Sequence, residues 1–243
     1  ESHLDKFDVN YKNRSDEFHG ISIAGPNSRK VLEKIVRDNV TNEKFKFRDS
    51  RRMFVGGVPA IINRISFTGE LGYEIYVAPH YQIKLYEELM EAGKEFNIKP
   101  FGGRALMSMR LEKNWGAWTL DYRPDFTAKE TGLDMFINWD KDFIGKEKAK
   151  SENSSNKLTP LIVETNDIDV TSNEAVMNGD QSIGYVTSGG FAHFVNKSVA
   201  FTFIDQNKIK SENKIQIEIN GDLFNCSVIK EPLYDPNGQK MRS

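Results

Sequence analysis

Residues 53–77 read Met-Phe-Val-Gly-Gly-Val-Pro-Ala-Ile-Ile-Asn-Arg-Ile-Ser-Phe-Thr-Gly-Glu-Leu-Gly-Tyr-Glu-Ile-Tyr-Val. Met53–Val55 and Val58–Phe67 flank Gly56-Gly57, whose access to positive φ predicts a two-residue hairpin turn. Thr68–Gly72 then predicts a tight connection into a third strand, Tyr73–Val77. Upstream, Ile21 and Ile23 alternate around Ser22 as a short strand. Gly25-Pro26 predicts a helix start with proline at an early position, where its missing N–H costs nothing. Val31, Leu32, Ile35 and Val36 give that helix one apolar face. Downstream, Tyr81, Leu85, Leu89 and Phe96 form a helical stripe, and Gly102-Gly103 leads into a helix through Leu106, Met109 and Arg110. Strands alternating with helices predict an α+β fold, antiparallel sheet layers with helices packed on them.

The pattern changes after Lys146. Lys146–Lys157 is polar and rich in Ser and Asn, a boundary signal, and beyond it only short strands are predicted: Leu161–Glu164, Ser182–Thr187, Ser198–Ile204, Lys214–Ile219 and Leu223–Ile229. Ile215, Ile217 and Ile219 alternate, Asn220-Gly221 is a hairpin turn, and Phe224, Cys226 and Val228 alternate on the return. Such closely spaced strands predict a small C-terminal β-barrel or sandwich. The expected division is residues 1–150, the α+β part, and 151–243, the barrel.

Composition narrows the function. Lys+Arg is 33 against Asp+Glu 35, a formal charge of −2, which leaves no basic footprint for nucleic acid. No run approaches the ~18 apolar residues of a membrane span. Cys226 is the only cysteine, so an intramolecular disulfide and a multi-cysteine zinc site are excluded. His3, His19, His80 and His193 are not spaced as ligands, and no metal site is expected. The chain opens on Glu1 without a signal pattern, and is expected to be the later part of something longer or a trimmed product.

Nucleotide fingerprints and the Gly-x-Ser-x-Gly elbow are absent. The chemistry therefore concentrates at Glu70, set between Gly69 and Gly72 at a turn where a flat ligand can approach the backbone. A carboxylate there can accept two parallel N–H bonds from a planar amino-amide edge such as that of a guanine-like or pterin ring; the alternative is a solvated turn residue. Glu74 alternates with Tyr73 and Ile75 as a solvent-facing strand residue. Trp115 and Trp118 are either walls for a flat ring or ordinary packing under a long loop. Glu130–Leu133 and Asp142–Lys146 read as structured turns. Tyr185–His193 reads as a Gly-rich loop between strands, lining a cleft or turning the barrel. Cys226 reads as an inert strand residue.

Six phrases occur in order: Ile-Ala-Gly-Pro-Asn-Ser-Arg (23–29), Phe-Thr-Gly-Glu-Leu-Gly-Tyr-Glu (67–74), Arg-Leu-Glu-Lys (110–113), Asp-Phe-Ile-Gly-Lys (142–146), Val-Thr-Ser-Gly-Gly (186–190) and Pro-Leu-Tyr-Asp-Pro (232–236). Together they resemble the folate-binding aminomethyltransferase family, the T-protein of the glycine cleavage system and its relatives, from about residue 20 to the C-terminus. The Arg-Leu-Glu-Lys segment with Ala-Trp and Asp121 after it, the Ser-Gly-Gly-Phe-Ala-His stretch and the Leu-Tyr-Asp-Pro-Asn-Gly-Gln-Lys-Met-Arg ending are most similar to the C-terminal part of dimethylglycine and sarcosine dehydrogenases. Departures are Leu106 where T-proteins place an arginine, Asn63 where the dimethylglycine enzymes place an aromatic, and Met135 where T-proteins place a tryptophan.

The resemblance implies a T-protein-like fold and a tetrahydrofolate site. Glu70 would hold the pterin edge, Gly69 and Tyr73 would flank it, and Trp118 and Met135 would shape the pocket; Arg104 would meet the anionic tail, the alternative being a plain surface arginine. It also implies one-carbon transfer giving 5,10-methylenetetrahydrofolate from a small N-methyl amine or its iminium product. FAD is expected only on an upstream portion of the same or a partner chain, and the catalytic carboxylate is expected upstream too, leaving this portion incomplete by itself. A bacterial version is expected in the cytoplasm and a eukaryotic one in the mitochondrial matrix. The alternatives are a glycine cleavage T-protein proper and a catalytically silent relative that binds folate as a sensor or scaffold.

Overall fold

The computed structural model describes residues 8–165 and 167–243; His3 lies outside them. Two compact units form. The first takes residues up to Ser66, Glu70–Pro100 and Gln239–Ser243, and the second takes Phe67–Gly69 and Phe101–Gly238.

The first unit is built on an antiparallel sheet, β1 (His19–Ala24), β2 (Ser50–Val55), β3 (Val58–Asn63) and β4 (Gly72–Val77), in the order β1-β4-β3-β2. Helices α1 (Ser28–Ile35) and α2 (Gln82–Gly93) supply its packing partners. Period-two alternation sends Val58, Ala60 and Ile62 of β3 inward together with Tyr73, Ile75 and Val77 of β4, and they meet Leu32, Leu85 and Leu89 from the helices. Gly56 and Gly57 both take positive φ (56° and 80°), as the two-residue hairpin requires. Two details differ from the sequence reading. Pro26 precedes the N-cap Asn27 and so stands outside α1. β3 also stops at Asn63, because Arg64 turns its backbone to Arg48 and Asp49 and buries its guanidinium on Phe45 O (2.5 Å).

In the second unit, α3 (Gly103–Glu112), α4 (Ala128–Thr131) and α5 (Lys146–Ser151) accompany six strands: β5 (Asn156–Val163), β6 (Ala175–Asn178), β7 (Gln181–Ala192), β8 (Lys197–Asp205), β9 (Ile215–Ile219) and β10 (Asp222–Val228). They close a barrel in the order β10-β5-β8-β7-β6-β9, filled by Leu161, Val163, Val176, Ile183, Ala200, Ile204 and Ile217. A short last helix, α6 (Gln239–Arg242), belongs to the first unit. The predicted hairpin at Asn220-Gly221 is present, with φ of 54° and 91°. Strand β6 is additional to the five expected. The stretch expected as a Gly-rich loop, Tyr185–His193, is strand through Ala192, with a bulge between Val186 and Ser188 that absorbs the irregularity. Its glycines serve close approach: a methyl at Gly189 would stand 2.7 Å from the Val170 backbone oxygen.

Candidate functional site

The Arg64–Leu71 connection between β3 and β4 carries Glu70. Gly69 before it has φ +87°, the left-handed region where glycine is at home. Gly72 after it has no room for a side chain, since a methyl would stand 3.0 Å from Ile65 O. Within the first unit the Glu70 carboxylate is one-fifth exposed (21%) and lies 3.8 Å from the Lys240 ammonium. An ion pair of that length, with a half-exposed lysine, contributes at most about 1 kcal/mol. The main chain after it is fixed: Gly25 N donates to Leu71 O (2.9 Å) and the buried Ser28 hydroxyl donates to the same oxygen (3.0 Å).

Tyr73 points into the core of the first unit, its ring stacked on Phe45 at 5.8 Å. Burial pushes its phenol above the ordinary value, opposed by the Arg29 and Arg64 guanidiniums. Glu74 is half-buried and accepts a 2.6 Å bond from the Tyr76 hydroxyl. That bond is the first reason the Tyr76 phenol is pushed up to about 12, burial the second.

Gly69, Arg104, Trp118 and Met135 belong to the second unit. Arg104 is exposed in the first turn of α3. Trp118 and Met135 present 75% and 77% of their surface to solvent, far more than ordinary packing leaves open. Trp118 stands at the tip of a built loop and meets Tyr122 edge-on at 5.5 Å. Residues 115–122 are tied down from beneath by Asp121, whose Oδ2 accepts from Ala117 N (2.7 Å) and Arg110 Nη1 (2.8 Å). Its Oδ1 accepts from Thr187 Oγ1 (2.5 Å) and Ser188 Oγ (2.7 Å). Glu130 is the N3 residue of a capping box with Thr127, and Gly132 ends that helix at φ +72°; both were expected only as a turn. Among the described residues no group of three His, Cys, Asp or Glu is placed to hold a metal ion, and no helix is long and apolar enough to cross a membrane.

Sequence reasoning did not find the buried network around Arg110 and Asp121, nor Lys113, which is buried beside Gly69. The signal for the first was an arginine eleven residues from an aspartate on a segment with a helical apolar stripe. Lys113 gave no signal beyond its place in Arg-Leu-Glu-Lys.

The family model described as the GCVT N-terminal domain matches residues 1–141, and that of the glycine cleavage T-protein C-terminal barrel domain matches residues 156–235. The chain belongs to the glycine cleavage T-protein family. It is 34% identical to the mitochondrial dimethylglycine dehydrogenase of Homo sapiens over 232 residues, which is 93% of this chain and 27% of the relative. It is 30% identical to an aminomethyltransferase of Thermoanaerobacter pseudethanolicus over 239 residues, 96% of this chain and 64% of the relative. The chain thus spans about a quarter of the dehydrogenase and somewhat under two thirds of the aminomethyltransferase. The crystal structure of glycine cleavage system aminomethyltransferase T from Bartonella henselae shares the fold, with a TM-score of 0.75 at 21% identity over 90% of this chain and 60% of that one. The family fold, helices with an antiparallel sheet and a closed C-terminal barrel, is the one expected from the sequence.

Proposed function

We propose that this chain binds tetrahydrofolate and serves one-carbon transfer as the folate-binding portion of an enzyme of the dimethylglycine or sarcosine dehydrogenase kind, the product being 5,10-methylenetetrahydrofolate. The observation that carries the reading is Glu70: a partly exposed carboxylate on a turn that leaves the left-handed Gly69, with the Lys240 ammonium 3.8 Å away. The donor set fits. A pterin presents adjacent N–H groups along one edge, and a carboxylate accepts two such bonds side by side. When bound, tetrahydrofolate supplies the amine nitrogens that take up the one-carbon unit.

The remaining roles follow from where the side chains lie. Glu70 orients the ring and gives up Lys240 to do so. Gly69 supplies the left-handed backbone from which Glu70 departs, its open side being filled by the Lys113 stem rather than left to the ring, and Tyr73 anchors the start of β4 from the core. Trp118 and Met135 offer open apolar surface for an aromatic ligand. Arg104, exposed at the start of α3, is available to an anionic tail. What such residues contribute to rate is position and exclusion of water, since effective concentration supplies much of the acceleration in such a transfer. No residue of this chain is assigned the acid–base step. On this reading, residues 1–150 and 151–243 are the folate-binding and barrel modules. FAD and the N-methyl amine, or its iminium product, belong to a flavin-bearing portion of the same or a partner chain. A bacterial cytoplasm or a mitochondrial matrix suits that chemistry.

A second reading, an aminomethyltransferase proper, is favoured by the likeness to the bacterial aminomethyltransferases; Leu106, in place of the arginine expected of T-proteins, opposes it. Calorimetric titration with tetrahydrofolate under reducing conditions tests the proposal. The parent should bind, and Glu70→Ala should lose about 1.5–3 kcal/mol, the worth of a charge-assisted pair. Equal binding by both proteins would remove Glu70 from the site.

A further inference from the structure

The role proposed for Glu70 depends on the main chain that delivers it, and within the second unit that main chain is gripped at Gly69. Lys113, the C-cap of α3, is buried (3% exposed) and lays its stem along the glycine. A methyl at Gly69 would stand 2.9 Å from Lys113 Cδ and 3.5 Å from the Tyr234 ring. The ammonium of Lys113 donates to Tyr234 O (3.3 Å) and Asp235 O, and pairs with Asp235 Oδ2 at 3.2 Å, a carboxylate itself only 9% exposed. Tyr234 is fixed in turn, its N–H on Glu112 O (3.0 Å) and its ring edge-on to Phe194 at 4.7 Å.

Burying an ammonium is costly unless each of its three protons finds an acceptor. Here three acceptors are provided, all from the Tyr234-Asp235 segment, and the stem that reaches them crosses Gly69. A solvated turn needs no such grip. We propose that Lys113 is a positioning residue: by clasping Gly69 against Tyr234 and Asp235 it fixes the left-handed backbone from which Glu70 departs, and so sets the direction in which the carboxylate meets its ligand. The inference rests on the reading of Glu70 as the carboxylate that holds the folate edge.

The test uses the 243-residue chain with Lys113→Met, which keeps the stem and removes the ammonium. Amide hydrogen exchange is read without ligand, and tetrahydrofolate affinity is read in both the Glu70 and Glu70→Gln backgrounds. Exchange at residues 69–71 should rise about tenfold while the strands of the barrel keep their protection. Affinity should fall about tenfold in the Glu70 background and less than twofold in Glu70→Gln, because coupled residues are not additive. A merely structural role would weaken binding equally in both backgrounds and raise exchange across the unit; that result, or unchanged exchange at 69–71, overturns the proposal. If the parent binds no tetrahydrofolate, local loosening at 69–71 still upholds the clasp while the folate reading fails. Should Lys113→Met not fold, Asp235→Asn, which removes the counter-charge and leaves both carbonyl acceptors, decides by the same two measurements.

Discussion

Arg110 and Asp121 form an ion pair closed off from water: Nη1 and Oδ2 are 2.8 Å apart, with the side chains 1% and 0% exposed. Burial pulls the guanidinium below its ordinary value, and the aspartate beside it opposes that pull. Removing one partner would strand a charge. Asp121→Ala should therefore destabilise the second unit by about 3–5 kcal/mol, whereas Arg110→Met with Asp121→Ala together should cost less than the sum of the two single changes. Urea denaturation of the three variants measures this, and additive losses would mean that the two residues do not act as a pair.

Barrel closure depends on Gly184 of β7, where β8 comes so close that a methyl would stand 2.1 Å from Phe203 O. Backbone cannot yield there as a flexible side chain could. Gly184→Ala should lower stability by at least ~1–3 kcal/mol, read from the same denaturation curves. Gly221→Ala is the control for loss of glycine without collision, since nothing lies within 4 Å of that position; its cost should come only from its positive φ (91°). A smaller loss for Gly184→Ala than for the control would contradict the close approach of β7 and β8.

Cys226 sits on β10, half-buried against the barrel core, and burial pushes its thiol up to about 12. Thiolate is the reactive form. Labelling by a thiol reagent at pH 8 should thus be slower in the native chain than in the unfolded one by about two to three orders of magnitude. As the sole cysteine it gives a single, unambiguous signal. Native labelling at the unfolded rate would place the sulfur outside the barrel.

Local chemistry was legible wherever it was local. The Gly56-Gly57 and Asn220-Gly221 turns were read correctly because both residues of each must take positive φ, and few other pairs do so readily. The alternation of Ile215, Ile217 and Ile219 gave β9, and Glu70 between two glycines gave the carboxylate turn. What escaped the sequence depends on distant partners. β6 is four residues long, too short to show a period, and is strand because β7 and β9 flank it. Gly189 and Gly190 resemble a loop but lie in β7, where Gly189 makes room for Val170. The Lys113 grip joins residues 121 apart, and Asp121 reaches Thr187 across 66; neither spacing carries a pattern. Pro26 misplaced the start of α1 because proline suits positions just outside a helix as well as its first turn.

One carboxylate and one ligand edge decide the folate reading, and a crystal structure of this chain grown with tetrahydrofolate under reducing conditions would show both. Both Glu70 carboxylate oxygens should lie within hydrogen-bond distance of the amino-amide edge of the pterin, about 2.7–3.2 Å, with Lys240 released from its present 3.8 Å pairing. A pterin bound elsewhere while Glu70 stays with Lys240 would contradict it.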